Sequence, residues 1–335
     1  MLETLSNLNG VSGSEDEVRS FILSKIKADE VTVDVMGNII AFRKGLKSHK
    51  KMMVCAHMDE VGFIISEITD KGFLKFKSVG GIDERVLISK HVTVGPDKLP
   101  GVIAVKAVHL QEKEEREKPV EEKDLAIDIG AESKEQAQKL VKIGDYAAFD
   151  TSYSLFGDRF MKGKALDDRI GCACLLKLLE RNYDFDFYGV FSVCEEIGGT
   201  GAKVAAQNIR PDLALVLEGT TCSDVYKTEP HQQVTRLGDG VCIPIRDRSM
   251  VANRELVDAL IACAEKNKIK WQYKHTTAGG TDGGAIHASG AGVKCAVLAV
   301  PTRYIHSPVG VASVDDYEAF LLLTEKFMEE VGGLI

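Results

Sequence analysis

A chain of 335 residues can bury a large core with an insertion, or two domains, and its balance of 44% apolar and 27% charged residues excludes extended disorder. A net charge of -8 argues against nucleic acid or an anionic membrane surface as partner. The eight cysteines form no CxxC pair and several lie in apolar runs, so reduced thiols and a cytoplasmic location are expected; neither a basic-then-apolar leader nor an apolar run of about eighteen residues is visible.

In chain order, Ser14 and Glu17 have capping-box spacing ahead of Val18, Phe21, Ile22, Leu23 and Ile26, which predicts an opening amphipathic helix. Val31 to Val35, a Met-Gly-Asn turn and Ile39 to Arg43 predict a hairpin. The next strand, MMVCAHMDEVGFII, carries His57 and Asp59. Alternate residues of an extended segment share a side, so Asp59 can hold the imidazole nitrogen that His57 does not offer to a metal. From Glu67 to Phe160 short alternating segments (FLKFKSVG, VLISKHVTVG, LPGVIAVKAVHL, LAIDIGA) are broken by Gly, Pro and charged turns, which predicts an inserted β-rich domain over 67–160. Within it QEKEEREKPVEEKD reads as a solvated loop or hairpin tip, and ESKEQAQKLV as a short helix.

Helix and strand alternate again from Gly163. In GKALDDR, Asp167 and Asp168 precede an apolar helix; capping accounts for one carboxylate there and leaves at least one free to be a ligand. The run VFSVCEEIGG reads as a buried strand that stops at Glu195 and Glu196, and the C-terminal edge of an open α/β sheet is where ligands bind. DLALVLEGT predicts a strand ending in Glu218, Val251 to Lys266 a helix, HTTAGGTDGGAIHASG a Gly-rich segment around Asp282, and KCAVLAVPTRYIHSP a strand ending in His306. An acid-led helix, VDDYEAFLLLTEKFMEE, closes the chain. The expected fold is α/β: a mixed sheet flanked by helices, formed by 1–66 joined to 161–335, around the inserted domain.

The strand ends thus collect two histidines and several carboxylates. Two His with three carboxylates suit two borderline divalent ions, Zn²⁺ or Co²⁺ with Mn²⁺ also accepted, and a further uncoordinated carboxylate suits a proton carrier. If one carboxylate bridges, each ion has three protein ligands and room remains for a shared water. Adjacency alone does not say which of Glu195 and Glu196 is ligand and which is base.

The ordered motifs AHMDEVGF, GKALDDR, CEEIGGTGA, GGTDGGAIH and PTRYIHSP resemble those of the cytosolic glutamyl and leucyl aminopeptidases that form tetrahedral dodecamers, the TET aminopeptidase family. LAIDIGA and VKIGDYAAFD resemble that family's inserted dimerisation domain, so the likeness spans nearly the whole chain. The resemblance implies a zinc-peptidase-like fold, short peptides as substrates, and a homo-oligomer built from dimers. It implies that Asp167 bridges two ions, with His57 and Glu218 on one and Glu196 and His306 on the other. Glu195 would be the general base that activates a metal-bridging water, Asp59 the partner of His57, and Asp168 a structural residue in a cis peptide bond. In one departure, many family members carry Asp at the position of Glu218, whereas Glu there is familiar from related carboxypeptidases and deacylases. Some relatives are labelled endoglucanases, but a glycosidase needs two opposed carboxylates and leaves His57 and His306 unexplained. A catalytically silent assembly protein would not need every one of these positions filled. Asp224 and Asp282 are read as loop-organising residues or substrate contacts, and His231 and His275 as the remaining histidines to look for near a pocket.

Overall fold

The computed structural model describes residues 1–277 and 279–334, apart from the side chain of Glu115. Two helices, α1 (Leu2–Asn7) and α2 (Asp16–Leu23), lead into the hairpin β1 (Glu30–Val33) and β2 (Ile39–Arg43), and β3 (Lys51–His57) follows. The next elements are β4 (Gly62–Ile68), β5 (Leu74–Val79), β6 (His91–Val94), β7 (Leu99–Val105), α3 (Lys113–Arg116), β8 (Leu125–Asp128), α4 (Lys134–Ala137) and β9 (Tyr146–Phe149). The chain continues through β10 (Ser154–Phe156), β11 (Phe160–Gly163), α5 (Leu166–Leu178), β12 (Asp186–Ser192), α6 (Thr200–Ile209) and β13 (Leu213–Cys222). Last come β14 (Val241–Ile243), α7 (Arg254–Lys266), β15 (Trp271–Tyr273), α8 (Asp282–His287), β16 (Lys294–Arg303), β17 (Gly310–Ser313) and α9 (Val314–Glu330).

The main sheet runs β1-β2-β12-β3-β13-β16-β17-β11-β10, with β14 and β15 attached beside β16. Its centre, β12, β3, β13 and β16, is parallel. Such strands are covered on both faces and need continuous apolar runs, which MMVCA, DFYGVFS, LALVL and CAVLAV supply. α5 packs on β3 and β13 and meets α9, while α6 and α8 pack together against β12, β13 and β16. The second unit is a closed six-stranded barrel, β4-β5-β8-β7-β6-β9. Phe63 fills it, meeting Phe76 at 4.8 Å and Phe149 at 5.2 Å between ring centroids, both edge to face. This is the mixed α/β fold with an inserted β domain that the sequence implies.

Several local expectations are corrected. The run MMVCAHMDEVGFII is two strands in two different units: β3 stops at His57, and from Gly62 the chain belongs to the barrel. Barrel strands span Gly62 to Phe149, and β10 and β11 already pair into the main sheet, so the barrel begins before the expected 67 and ends before the expected 160. Ser14 and Glu17 form no capping box; α2 starts after Glu15 with no side-chain cap, and Glu17 instead accepts from Asn9 N and from Lys98 Nζ. Helix α1, the strands β14 and β15, and helix α8 inside the Gly-rich segment were not expected. The mixed-charge run holds α3 and a 3-10 turn over Glu122–Asp124. Seven of the eight cysteines are buried and all are free thiols.

Candidate metal centre

Four parallel strands ending at different heights build the floor of a cavity of about 850 Å³. His57 is the last residue of β3 and lies opposite Ser192, the last residue of β12, so Glu195 and Glu196 follow three and four residues beyond that edge. Glu218 is not at a strand end. β13 continues to Cys222 because it stays paired with β16, whereas its pairing with β3 stops at Val216. Glu218 is therefore bordered on one side by the place where β3 has ended. His306 follows β16 by three residues in a left-handed conformation, φ 56. Asp167 opens α5 through a cis peptide bond to Asp168.

These five side chains form two sets that share Asp167: His57, Asp167 and Glu218, and Asp167, Glu196 and His306. His57 Nε2 lies 3.3 Å from Asp167 Oδ1 and 3.1 Å from Glu218 Oε1. His306 Nε2 lies 3.6 Å from Asp167 Oδ2 and 3.1 Å from Glu196 Oε2. The two oxygens of Asp167 thus face opposite sets. Gly219 must be glycine for this: a Cβ there would sit 2.9 Å from Asp167 Oδ1, and its own N–H donates to that oxygen at 3.2 Å.

Burial makes the cluster costly without a cation. It pushes the carboxyls of Glu195 and Glu218 well above the usual carboxylate range, with neighbouring carboxylates adding to the shift, and Glu196 up to about 7. Burial opposes charge on both imidazoles, but the surrounding carboxylates hold His57 well above its ordinary value and His306 at about 9. Burial also opposes charge on Asp167, yet the two imidazoles hold it well below the carboxylate range. Glu218 Oε2 is buried and has no hydrogen-bond partner among the described residues. Converging N and O donors, surplus negative charge and an orphaned ligand atom fit divalent cations. Glu195 lines the same cavity but belongs to neither set.

Each ring's other nitrogen is occupied. His306 Nδ1 is 3.1 Å from Gly81 O, on the barrel segment after β5, and His57 Nδ1 is 3.1 Å from the Asp59 backbone carbonyl. Donation through Nδ1–H leaves each Nε2 lone pair facing the carboxylates. The Asp59 carboxylate, expected as the partner of His57, is 3.5 Å from that nitrogen and is engaged more closely elsewhere. Its oxygens accept from Ser12 Oγ at 2.6 Å, Glu195 N at 3.0 Å and Glu196 N at 3.1 Å. Asp59 therefore ties the end of β3 to the backbone of both glutamates.

Four supporting residues escaped the sequence reading. Ser12 is a buried donor on Asp59. Asn38, read only as a turn residue, is fully buried; it accepts from Val193 N at 3.0 Å and donates to Gly201 O at 3.0 Å, bracketing the turn that holds Glu195 and Glu196. Lys164 is buried against Glu60 at 2.7 Å and also bonds Leu8 O and Asn9 Oδ1, while Arg169 bonds the carbonyls of Leu5, Leu8 and Met58. A polar partner for each would have been the available signal, but those partners are distant in sequence. Asp168 is buried and accepts from Gly171 N at 2.9 Å. Asp224 takes the loop-organising alternative, gripping Arg303 at 2.6 and 2.8 Å and accepting from Leu237 N. Asp282 accepts from Ser192 Oγ at 2.5 Å beneath the turn. His231 and His275 do not line the cavity.

A profile of the M42 glutamyl aminopeptidase family matches residues 37–323. A putative aminopeptidase of Acetivibrio thermocellus is 40% identical, with 97% of each chain covered. The lysyl aminopeptidase of Pyrococcus furiosus is 31% identical, over 96% of this chain and 94% of that one. Among solved structures, the aminopeptidase APDkam598 from Desulfurococcus kamchatkensis superposes with a TM-score of 0.93 at 38% identity, covering 98% of this chain and 93% of that one. The Pyrococcus horikoshii TET1 peptidase, described as assembling into a tetrahedron or a large octahedral shell, has a TM-score of 0.88 at 34% identity with 98% of each chain covered. A Thermotoga maritima protein described as an endoglucanase has a TM-score of 0.82 at 37% identity, over 98% and 97%. The chain accordingly belongs to the M42 glutamyl aminopeptidase family and is a metal-dependent aminopeptidase, a hydrolase of peptide bonds.

Proposed function

We propose that the protein removes the N-terminal residue from short peptides with two divalent cations held across Asp167. The single observation carrying this reading is the split of Asp167 between the His57–Glu218 and Glu196–His306 sets, one oxygen to each. His57 and Glu218 would hold one ion, Glu196 and His306 the other, and Asp167 both. When bound, such ions polarise a scissile carbonyl and make water a stronger acid. Glu195 stands beside the shared carboxylate with its amide fixed by Asp59 and is the general base. It takes a proton from the attacking water and returns it to the leaving amine. Glu196, held against His306, is spent as a ligand.

The endoglucanase description of one structural neighbour is not carried to this chain, because both histidines converge on one shared carboxylate instead of standing outside an opposed acid pair. For the assembly, we propose a homo-oligomer of dimers, a dodecamer, formed through the barrel. Val108, Leu110, Leu140 and Ile143 leave large apolar side chains exposed within the barrel segment, in keeping with a partner surface. The test is hydrolysis of aminoacyl p-nitroanilides by protein stripped with a chelator and then resupplied with Zn²⁺, Co²⁺ or Mn²⁺. Activity should vanish and return. Full activity after stripping, or hydrolysis of β-glucan and not of any aminoacyl substrate, would overturn the proposal.

A further inference from the structure

Asp282 is 1% exposed, lies in neither ligand set and pairs with no cation among the described residues. Its Oδ2 accepts from Ser192 Oγ at 2.5 Å and from the Cys55 thiol at 3.6 Å. Its Oδ1 is buried with no hydrogen-bond partner among the described residues. Nor does its own helix need it: Thr281 caps α8, its hydroxyl accepting from Gly283 N at 3.1 Å.

What the carboxylate meets is the turn that carries Glu195, at both ends. One oxygen holds Ser192, the last residue of β12 and three residues before Glu195. The other lies against Gly199, which ends the turn and opens α6 with φ 68; a Cβ there would sit 3.2 Å from Asp282 Oδ1. Between these points the turn closes on itself, Gly198 N donating to Glu195 O and Gly199 N to Cys194 O, each at 2.9 Å. Asp59 grips the middle of the turn through the amides of Glu195 and Glu196, and Asp282 reaches the two flanks that Asp59 leaves free.

A carboxylate with one hydroxyl and one thiol for donors is costly to bury, and burial pushes it up to about 6. Asparagine would keep an acceptor for Ser192 and shed the charge, so stability alone does not account for aspartate here. The charge does strengthen one contact: a hydroxyl bond to an ionised carboxylate is about twice as strong as its neutral counterpart, and this one anchors the residue from which the turn departs.

We infer that Asp282 is a positioning residue for Glu195: through Ser192 and Gly199 it fixes both ends of the turn on which the base stands. The inference rests on the reading of Glu195 as general base.

The test uses the metal-loaded full-length protein, steady-state kinetics on an aminoacyl p-nitroanilide, metal analysis and thermal melting. Asp282→Asn should lower kcat about 10-fold, the scale of a slight misplacement of a reacting group. Its KM and bound metal should stay within about twofold of wild type and its melting temperature should be no lower, because the buried charge is gone. A merely structural residue would lose stability and kcat together, and a support of the ligands would lose metal. Ser192→Ala should reproduce the fall in kcat, at a lower melting temperature, and the double variant should be about as slow as either single one, since both act through one bond. Wild-type kcat in Asp282→Asn, a fall in kcat only alongside lost metal or stability, or losses that multiply in the double variant would overturn the inference. If Glu195→Gln itself kept wild-type kcat, the reading of Glu195 as base would fall instead. Amide hydrogen exchange would then decide the positioning: Asp282→Asn should speed exchange over residues 193–199 and nowhere else, and unchanged exchange there would overturn it.

Discussion

Replacing Ser12 with alanine removes one of three close donors on a fully buried carboxylate. Asp59 is 0% exposed and accepts from Ser12 Oγ, Glu195 N and Glu196 N at 2.6, 3.0 and 3.1 Å. A hydrogen bond to a charged group contributes about 1.5–3 kcal/mol, and alanine leaves no donor in its place. Ser12→Ala should therefore lower stability by about that amount, seen as a reduced urea midpoint at unchanged slope. Its effect should also reach the chemistry, because the same carboxylate holds the backbone of Glu195, the proposed base. A displacement on the order of 1 Å at a reacting group costs up to about 10²-fold, and with both amide bonds retained the expected fall in kcat is about 10-fold. KM and bound metal should stay near wild type, since Ser12 touches no ligand side chain, and Ser12→Thr should restore much of the loss. The assay pairs steady-state kinetics on an aminoacyl p-nitroanilide with metal analysis of the same preparation. A destabilised variant that keeps wild-type kcat would refute the claim that the N-terminal segment positions Glu195.

Further outcomes follow from the same geometry. Glu195→Gln should keep its metal and its substrate affinity and lose about 10²- to 10⁴-fold in kcat, whereas Glu196→Gln should lose metal, with partial rescue by excess Zn²⁺ or Co²⁺; metal analysis beside kinetics separates them, and the opposite pattern would exchange the two roles. Glu60→Gln strands the buried Lys164 and Arg169 and should cost about 3–5 kcal/mol in denaturant unfolding. Metal removal should lower the melting temperature, and titrating Zn²⁺ back should raise it with the logarithm of free ion, because ions bound only by the native floor stabilise by mass action. Light scattering at micromolar concentration should find a particle far larger than one chain, and a monomer there would remove the proposed assembly while leaving the chemistry intact.

The elements that a periodicity can report were legible in the sequence. Continuous apolar runs gave β3, β12, β13 and β16, and the residues at or beyond their ends gave His57, Glu195, Glu196 and His306 without any contact information. Three kinds of feature were not legible. Strand membership was hidden between His57 and Gly62, where the chain leaves the main sheet and enters the barrel, because side-chain pattern does not record which sheet a strand joins. The length of β13 was misjudged because Glu218 looks like a stop, yet pairing with β16 carries the strand on to Cys222. The supports of the site lie far from it in the chain: Ser12 is 47 residues from Asp59, Asn38 is 155 from Val193, and Gly81 is 225 from His306. The last of these also gives the barrel a part in the metal centre, which its β-rich composition could not disclose. For Asp59 the HxD spacing gave the right neighbour and the wrong atom, since the backbone carbonyl takes the imidazole and frees the carboxylate for the two glutamate amides.

Metal stoichiometry across three proteins tests the shared-ligand centre most directly. Calorimetric titration and elemental analysis of the stripped protein should give two equivalents of Zn²⁺ in the wild type, about one in His306→Ala, and weakened binding at both sites in Asp167→Asn, because Asp167 Oδ1 faces His57 and Oδ2 faces His306. Two full equivalents bound at wild-type affinity by Asp167→Asn, or one in the wild type, would contradict a dinuclear centre bridged by Asp167.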